Sequence, residues 1–234
     1  MQARRSDLWT AVWAGYFRWL FTRRFAALWV DGELPAQGPL VLAGNHTSWW
    51  DGPLGMMYTA LYSRHRGYVG MEWENLARYS MFRRAGCFGV ARGEHATAVQ
   101  AIHYAADLLA NPEHAVWIFP QGRMRHLDER PLRFEGGLGL LARLRPGVPL
   151  VRVSFRYELR GEDRPEAFMR FDAPEPMEDD PAWLRLQEER LTTLLDRHRE
   201  ACARRETGRC VIAGATGVDR RWDRARALDD RRIA

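Results

Sequence analysis

Apolar residues recur at helical spacing through the first 30 residues of the chain. Six of them fall on one side of a helix: Leu8, Val12, Trp13, Tyr16, Leu20 and Ala27. Because the stretch from Leu8 to Val30 contains no proline, it predicts a single helix. Arginines at positions 18, 23 and 24 interrupt the apolar stripe, and such charges make a membrane span costly. The pattern predicts an amphipathic helix lying on a membrane, with packing on the protein's own core as the alternative.

After residue 31, short apolar runs alternate with helical patterns. Strands are predicted at 40–43, 67–70, 87–91, 115–119, 148–157 and 167–171. Helices are predicted from near residue 48 and at 94–110, 138–144 and 182–205. This alternation predicts an α/β fold with a mostly parallel central sheet flanked by helices.

Three segments follow from this pattern. Residues 1–30 are the predicted membrane-associated helix, and residues 31–206 hold the α/β domain. Residues 207–234 are polar and rich in arginine, so we expect them to add little packed core.

The balance of charged residues limits the kinds of partner that we expect this chain to bind. Lys and Arg total 35, Asp and Glu total 30, and no lysine occurs, so every strong base is an arginine. Compositional bias is one explanation, and phosphate recognition by the planar guanidinium is another. An anionic partner fits either explanation. We expect no nucleic acid, since the acids are interleaved and no basic-aromatic nucleic-acid motif is present.

Cysteine and tryptophan usage bears on the compartment. Cys87, Cys202 and Cys210 form no CxxC pair and no His/Cys cluster, so no metal site is predicted. Their odd count suits a reducing compartment, and no secretory signal is visible. Six of the ten tryptophans lie in the first 51 residues, and tryptophan favours membrane interfaces. We therefore expect peripheral attachment to the cytoplasmic face of a membrane.

The run from Gly44 to Asp51 carries the main candidate chemistry. A histidine held by a carboxylate is a ready general base, because free histidine has a pKa of about 6.5. On one regular helix, five residues turn through about 500°, so His46 and Asp51 would not share a face. They can meet if His46 precedes the helix, with Ser48 as N-cap and Asp51 at the third helical position. Taken alone, the run is also compatible with a capping Asp51 and a structural His46.

Four blocks occur in order along the chain. They are Asn45-His46-Thr47-Ser48-Trp49-Trp50-Asp51, Gly86-Cys87-Phe88-Gly89-Val90-Ala91-Arg92, Phe119-Pro120-Gln121-Gly122 and Val148-Pro149-Leu150-Val151. Their order and spacing resemble the glycerolipid acyltransferase family, which includes the 1-acylglycerol-3-phosphate acyltransferases. That family shows an NHxxxxD block, a Gly/Phe-rich block ending in arginine, an FPEGTR block and a VPxxPV block.

The resemblance implies a reaction and its participants. His46 would take the proton from an acceptor hydroxyl as it attacks an acyl thioester, and Asp51 would orient and stabilise the imidazole. The thioester would be acyl-CoA or acyl-carrier protein as co-substrate, with no other cofactor. The acceptor would be a membrane lipid such as a lysophospholipid. Arg92 would help bind its phosphate, although a surface arginine is the alternative. We interpret Cys87 as a small buried apolar residue.

The third and fourth blocks depart from the family pattern. Gln121 stands at the position of the family glutamate, Arg123-Met124 replaces Thr-Arg, and Arg125 follows one place later. Gly122 is retained, as expected where the backbone approaches a ligand. The candidate substrate-binding residues are therefore Gln121, Gly122, Arg123 and Arg125, besides Arg92. Arg152 replaces the second proline of the fourth block, and we expect it on the solvent or ligand side of a strand.

These departures leave the acceptor open. A glycosylated or terpenoid lipid is an alternative to a glycerophosphate. A non-catalytic module that binds anions or membranes is a further alternative.

Overall fold

A computed structural model describes residues 1–91, 95–161, 163–215, 217, 218 and 222. The strands are β1 (Ala27–Asp31), β2 (Leu40–Gly44), β3 (Arg66–Glu72), β4 (Cys87–Val90), β5 (His114–Ile118), β6 (Pro149–Glu158), β7 (Glu166–Phe171), β8 (Glu175–Pro176) and β9 (Arg209–Ala213). The α-helices are α1 (Asp7–Arg24), α2 (Asp51–Tyr62), α3 (Trp73–Arg78), α4 (His95–Leu108), α5 (Gly137–Leu144) and α6 (Pro181–Ala203). A 3₁₀ helix covers Ser80–Ala85.

The strands form one mixed sheet in the order β4-β3-β5-β2-β6-β7-β1-β9, with β8 beside β6. From β4 to β6 every neighbouring pair is parallel, and β7 is parallel to β1. The pairs β6/β7, β1/β9 and β6/β8 are antiparallel. The prediction of an α/β fold with a mostly parallel sheet is confirmed.

Helices cover both faces of the sheet, which explains why its central strands are apolar throughout. On one face, α1 and α2 pack through side chains such as Phe17, Phe21 and Leu54. On the other face, α4, α5 and α6 contribute Ala105, Leu141 and Trp183. All five residues of β2 are buried, so this strand lies at the centre of the fold.

The N-terminal helix is shorter than predicted. It ends at Arg24, and residues 27–31 form β1 between β7 and β9 instead of continuing the helix. Ala27 matched the helical spacing only by coincidence, because strand pairing decides the conformation of this apolar segment.

An amphipathic character for α1 is not confirmed, because apolar side chains point in opposite directions from it. Ala14, Phe17 and Phe21 are buried against the domain, whereas Leu8, Val12, Tyr16 and Trp19 are exposed. Among the described residues, no helix has the length and apolar content needed to cross a bilayer.

The segment after residue 206 contributes to the sheet. Strand β9 pairs antiparallel with β1, and Ile212 is buried in the core. Gly208, with φ +74°, and Gly214 pass so close to the backbone of residues 25–31 that a Cβ at either position would clash. The expectation of little packed core from Thr207 onward is therefore wrong for residues 209–213. Residues 216, 219–221 and 223–234 of the predicted tail lie outside the described residues.

The expectation that Arg152 lies on the solvent or ligand side of β6 is also wrong. Its guanidinium is 5% exposed and donates to Asp172, to Glu175 and to Gln187 on α6. A buried charge is tolerated when its donors are satisfied in this way. Arg152 therefore fastens α6 and the segment around β8 to the sheet, on the face away from α1.

We predict that Arg152→Leu lowers the free energy of unfolding by about 3 kcal/mol. The substitution leaves the buried side-chain oxygen of Gln187 without a donor and removes the partner of Glu175 Oε1, whose other oxygen still receives Arg190. Urea denaturation at neutral pH measures the change. Arg204→Leu removes an arginine whose ion pairs are exposed, so it should change stability by no more than about 0.5 kcal/mol. Equal losses in the two variants would contradict this role of Arg152.

Candidate active site

The first of the four sequence blocks lies at the carboxyl end of β2, where the chain leaves the sheet. Asn45 is 3% exposed, and its side chain pairs with the backbone of Phe155 on β6. The amide oxygen accepts from the Phe155 N–H at 2.7 Å, and the amide nitrogen donates to the Phe155 carbonyl at 3.1 Å. Only a side chain with both a donor and an acceptor can make this pair. Asn45 thus fixes the position from which His46 leaves the sheet.

Asp51 begins α2 and is fully buried. Its Oδ2 accepts from the backbone N–H of Thr47 at 2.7 Å and of Ser48 at 2.8 Å. The carboxylate therefore closes the turn that precedes the helix. The predicted helix start is corrected accordingly: Trp50, not Ser48, is the N-cap, and Asp51 is the first helical residue.

His46 lies against this carboxylate, as the motif predicted. Its Nδ1 is 2.9 Å from Asp51 Oδ2, and its ring stacks on Phe119 with a centroid distance of 4.5 Å. A carboxylate only accepts hydrogen bonds, so Nδ1 carries the proton and Nε2 has a free lone pair. The His46 side chain is 21% exposed, which leaves the ring open to a substrate.

Tyr157 on β6 completes the surroundings of Asp51. Its hydroxyl donates to Asp51 Oδ1 at 2.6 Å. Burial, followed by the charge of Asp51, raises the pKa of Tyr157 well above its usual value of 10. The phenol therefore stays protonated and acts as a donor.

The loop after β5 holds the backbone of His46 from the other side. The buried Gln121 accepts the His46 N–H at 2.7 Å through Oε1. The backbone N–H of Arg125 donates to the His46 carbonyl at 2.8 Å. Both backbone groups of His46 are therefore held by the third sequence block.

The predicted substrate-binding residues occupy different environments. Gly122 adopts φ +64°, and a Cβ there would lie 2.9 Å from Glu135 Cγ. Arg123 is exposed. The side chain of Arg125 is 7% exposed and pairs with Glu129. Arg92 lies outside the described residues. The structure therefore brings Gln121, Gly122, Arg123 and Arg125 together on the loop beside His46.

The cysteine of the second block is not available as a nucleophile. Cys87 is 3% exposed, and burial raises the pKa of its thiol to about 12. Its interpretation as a small buried apolar residue is confirmed. Within the described part of the chain, no cluster of His, Cys, Asp or Glu side chains could hold a metal ion.

The arrangement can perform general base chemistry. An imidazole with Nδ1 fixed by a buried carboxylate offers Nε2 to a hydroxyl, and the carboxylate stabilises the imidazolium that forms. A nucleophilic serine or cysteine is not needed if the substrate supplies the attacking hydroxyl.

A comparison with protein-family models finds the family described as Acyltransferase over residues 30–156, more than half of the chain. The chain belongs to this acyltransferase family. A search of curated proteins found no match.

Among solved structures, this acyltransferase is similar to the 1-acyl-sn-glycerophosphate (LPA) acyltransferase PlsC from Thermotoga maritima. The TM-score is 0.61 at 17% sequence identity, covering 83% of this chain and 79% of that chain. The likeness shows a shared fold.

Sequence reasoning missed Tyr157, Asn45 and Phe119 as contributors to this acyltransferase site. Asn45 is adjacent to His46 and Phe119 is two residues from Gln121, both within the four sequence blocks, so proximity in sequence was an available signal. Tyr157 lies 106 residues from Asp51 in the chain. The sequence around it has the pattern of an ordinary β-strand. No neighbouring residue in the sequence indicates a role for Tyr157, because its contact with Asp51 forms only when β2 and β6 are paired.

We predict that Gln121→Leu lowers the free energy of unfolding by about 2 kcal/mol, since it leaves the His46 N–H without its acceptor. Thermal or urea denaturation measures the loss. Met124→Leu, at an exposed position of the same loop, should change stability by less than about 0.5 kcal/mol. A Gln121→Leu variant as stable as Met124→Leu would show that this bond does not hold the loop to His46.

Proposed function

We propose that this acyltransferase moves a fatty acyl group from an acyl thioester, either acyl-CoA or acyl-carrier protein, to a lysophospholipid hydroxyl. An acceptor such as 1-acylglycerol-3-phosphate fits this class. The observation that carries the proposal is the 2.9 Å contact between His46 Nδ1 and a fully buried Asp51, with the imidazole open on its other side.

The proposed reaction proceeds by direct transfer. His46 Nε2 takes the proton of the acceptor hydroxyl as its oxygen attacks the thioester carbonyl. The tetrahedral intermediate collapses with cleavage of the C–S bond, and the leaving thiolate takes the proton back from the imidazolium. Asp51 stabilises that imidazolium while it exists. The ester and the free thiol leave the enzyme in its starting state, and no cofactor or metal takes part.

The arginines beside the site support an anionic acceptor. Arg123 is exposed on the loop that holds His46, and Arg125 follows on the same loop. Guanidinium groups suit phosphate oxygens because they donate in a planar fork. We propose that Arg123 contacts the acceptor headgroup, with Arg92 as the position indicated by family resemblance.

We propose peripheral attachment to the cytoplasmic face of a membrane, and an exposed apolar surface supports the membrane contact. This aromatic face consists of Leu8, Val12, Tyr16, Trp19, Trp49 and Met81, all at least 45% exposed. Trp49 contacts Phe17 of α1, with ring centroids 6.1 Å apart, and is two residues from Asp51 in the chain. Arg23 lies over the Trp19 ring at 4.4 Å, where it can also meet lipid phosphate. The aromatic face would thus place the lipid acceptor next to His46.

A second acceptor class is favoured by one observation. Arg125 is tied to Glu129 and nearly buried, so its charge is already compensated. This arrangement suits an acceptor without a phosphate next to Arg125, for example a glycosylated or terpenoid lipid. The reaction at His46 would be the same.

We predict that His46→Ala lowers acyl transfer about a hundred- to ten-thousandfold, because the general base is lost. Purified protein is incubated with radiolabelled acyl-CoA or acyl-carrier protein and a panel of lysophospholipids, glycolipids and terpenoid alcohols. The control His103→Ala, an exposed histidine on α4, should keep full activity.

Equal transfer by wild type and His46→Ala would refute the mechanism. Transfer to glycolipids or terpenoid alcohols alone would select the second acceptor class. Membrane or anion binding by the wild type with no transfer to any acceptor would favour a non-catalytic module.

We predict that Trp19→Ser and Trp49→Ser each weaken binding to anionic phospholipid vesicles about tenfold, because each removes one aromatic side chain that enters the interface. Vesicle sedimentation measures the partition. Leu186→Ser changes an exposed apolar residue of α6, on the opposite layer, and should bind vesicles like wild type. Unchanged binding by both tryptophan variants would argue against the aromatic face as the lipid contact.

A further inference from the structure

The carboxylate of Asp51 has a donor on each of its oxygens. Oδ2 receives His46 Nδ1 and the backbone N–H groups of Thr47 and Ser48. Oδ1 receives the hydroxyl of Tyr157, its one hydrogen-bond donor within the described part of the chain. An ionised carboxylate offers about four acceptor positions, and Asp51 receives four donors, three on Oδ2 and one on Oδ1. Three of them come from the same turn, and Tyr157 alone comes from a distant strand.

We propose that Tyr157 is a positioning residue of the acyl transfer, which donates to Asp51 Oδ1 and thereby sets how tightly the His46–Asp51 pair holds a proton. The proposal rests on the proposed function for its catalytic consequence, but its effect on His46 can be measured without any substrate.

The placement of Tyr157 is rigid. It lies on β6, where it is paired with Ala167 of β7, and its ring packs 6.0 Å from the ring of Phe25. Its phenol is buried, and the pKa of Tyr157 is raised by that burial and by Asp51, so the hydroxyl remains a donor across the working pH range.

The direction of the effect follows from electrostatics. A donor on Oδ1 draws negative charge away from Oδ2, so Oδ2 attracts the imidazolium less strongly. Removal of the donor leaves more charge facing His46, and the pair then holds its proton more tightly. Tyr157 therefore weakens the hold of Asp51 on the imidazolium form of His46.

Among the described residues, charged groups near the pair lie on the loop after β5, including Glu135, whose side chain lies against Gly122. Arg123, Arg125 and Glu129 belong to this loop, and Arg125 and Glu129 are paired with each other. Gln121, which meets the His46 backbone, is neutral. Tyr157→Phe leaves all of these groups in place, so a change in titration of the pair would report the lost hydroxyl.

The test compares Tyr157→Phe with wild type. The titration midpoint of the His46 ring, followed by NMR in the substrate-free protein, should rise by about one pH unit, the size expected for one hydrogen bond to a charged group. The pH midpoint of the acid limb in the pH profile of kcat/KM should rise together with it. A purely structural role would lower the plateau without moving the limb. Tyr68→Phe is the control, since its hydroxyl lies near His114 on β5, away from Asp51.

A second substitution guards against misfolding of Tyr157→Phe. Replacement of Tyr157 by 3-fluorotyrosine keeps the shape and strengthens the donor, so the midpoint should fall. An unchanged midpoint in both folded variants, or a shift in the opposite direction, would overturn the proposal. If His46→Ala loses activity while Tyr157→Phe leaves the midpoint unchanged, the proposed role of Tyr157 is refuted and the proposed function stands. Full activity in His46→Ala would instead refute the proposed function.

Discussion

The site depends on one buried charge. Asp51 has no solvent exposure, and an ionised carboxylate in such a place is tolerated only when donors surround it. The turn at 47–48, the imidazole of His46 and the phenol of Tyr157 supply those donors. The same carboxylate therefore shapes the turn before α2, fixes the tautomer of His46 and joins α2 to β6. Because all three partners bond to the same carboxylate, a substitution in any one of them alters the hydrogen bonding of the other two.

The parallel arrangement of β5, β2 and β6 explains how these partners meet. The carboxyl ends of adjacent parallel strands open on the same edge of a sheet, and ligand sites of α/β proteins commonly lie there. In this chain, β2 leads into His46, β5 leads into Phe119 and Gln121, and β6 carries Phe155 and Tyr157. Asn45 ties β2 to β6 through the Phe155 backbone, and Gln121 ties the loop after β5 to His46. His46 is thus positioned, directly or through Asn45 and Asp51, by groups on or following three neighbouring strands.

The parts of this arrangement that are local in sequence were predictable. Short apolar runs predicted β2 to β7, and the His46/Asp51 spacing correctly required a histidine placed before its helix. Errors occurred where distant pairing decides the outcome. Residues 27–30 continue a helical pattern but form a strand because β7 and β9 flank them. The burial of Arg152 depends on acceptors from α6 and β8, which the sequence around Arg152 does not show. Likewise, the contact of Tyr157 with Asp51 forms only because β6 lies beside β2.

The glutamine of the third block takes on a different meaning in the structure. In the sequence, the change from the family glutamate to Gln121 removes a charge and leaves the identity of the acceptor lipid open. In the fold, Gln121 accepts a backbone hydrogen bond from His46, and one side-chain oxygen suffices for that bond. The substitution is thus compatible with an unchanged task of holding His46. In the proposed function, recognition of the acceptor then depends on the arginines. Because Arg125 is already compensated by Glu129, the exposed Arg123 is the arginine of this loop that we propose distinguishes a phosphorylated lipid from a neutral one.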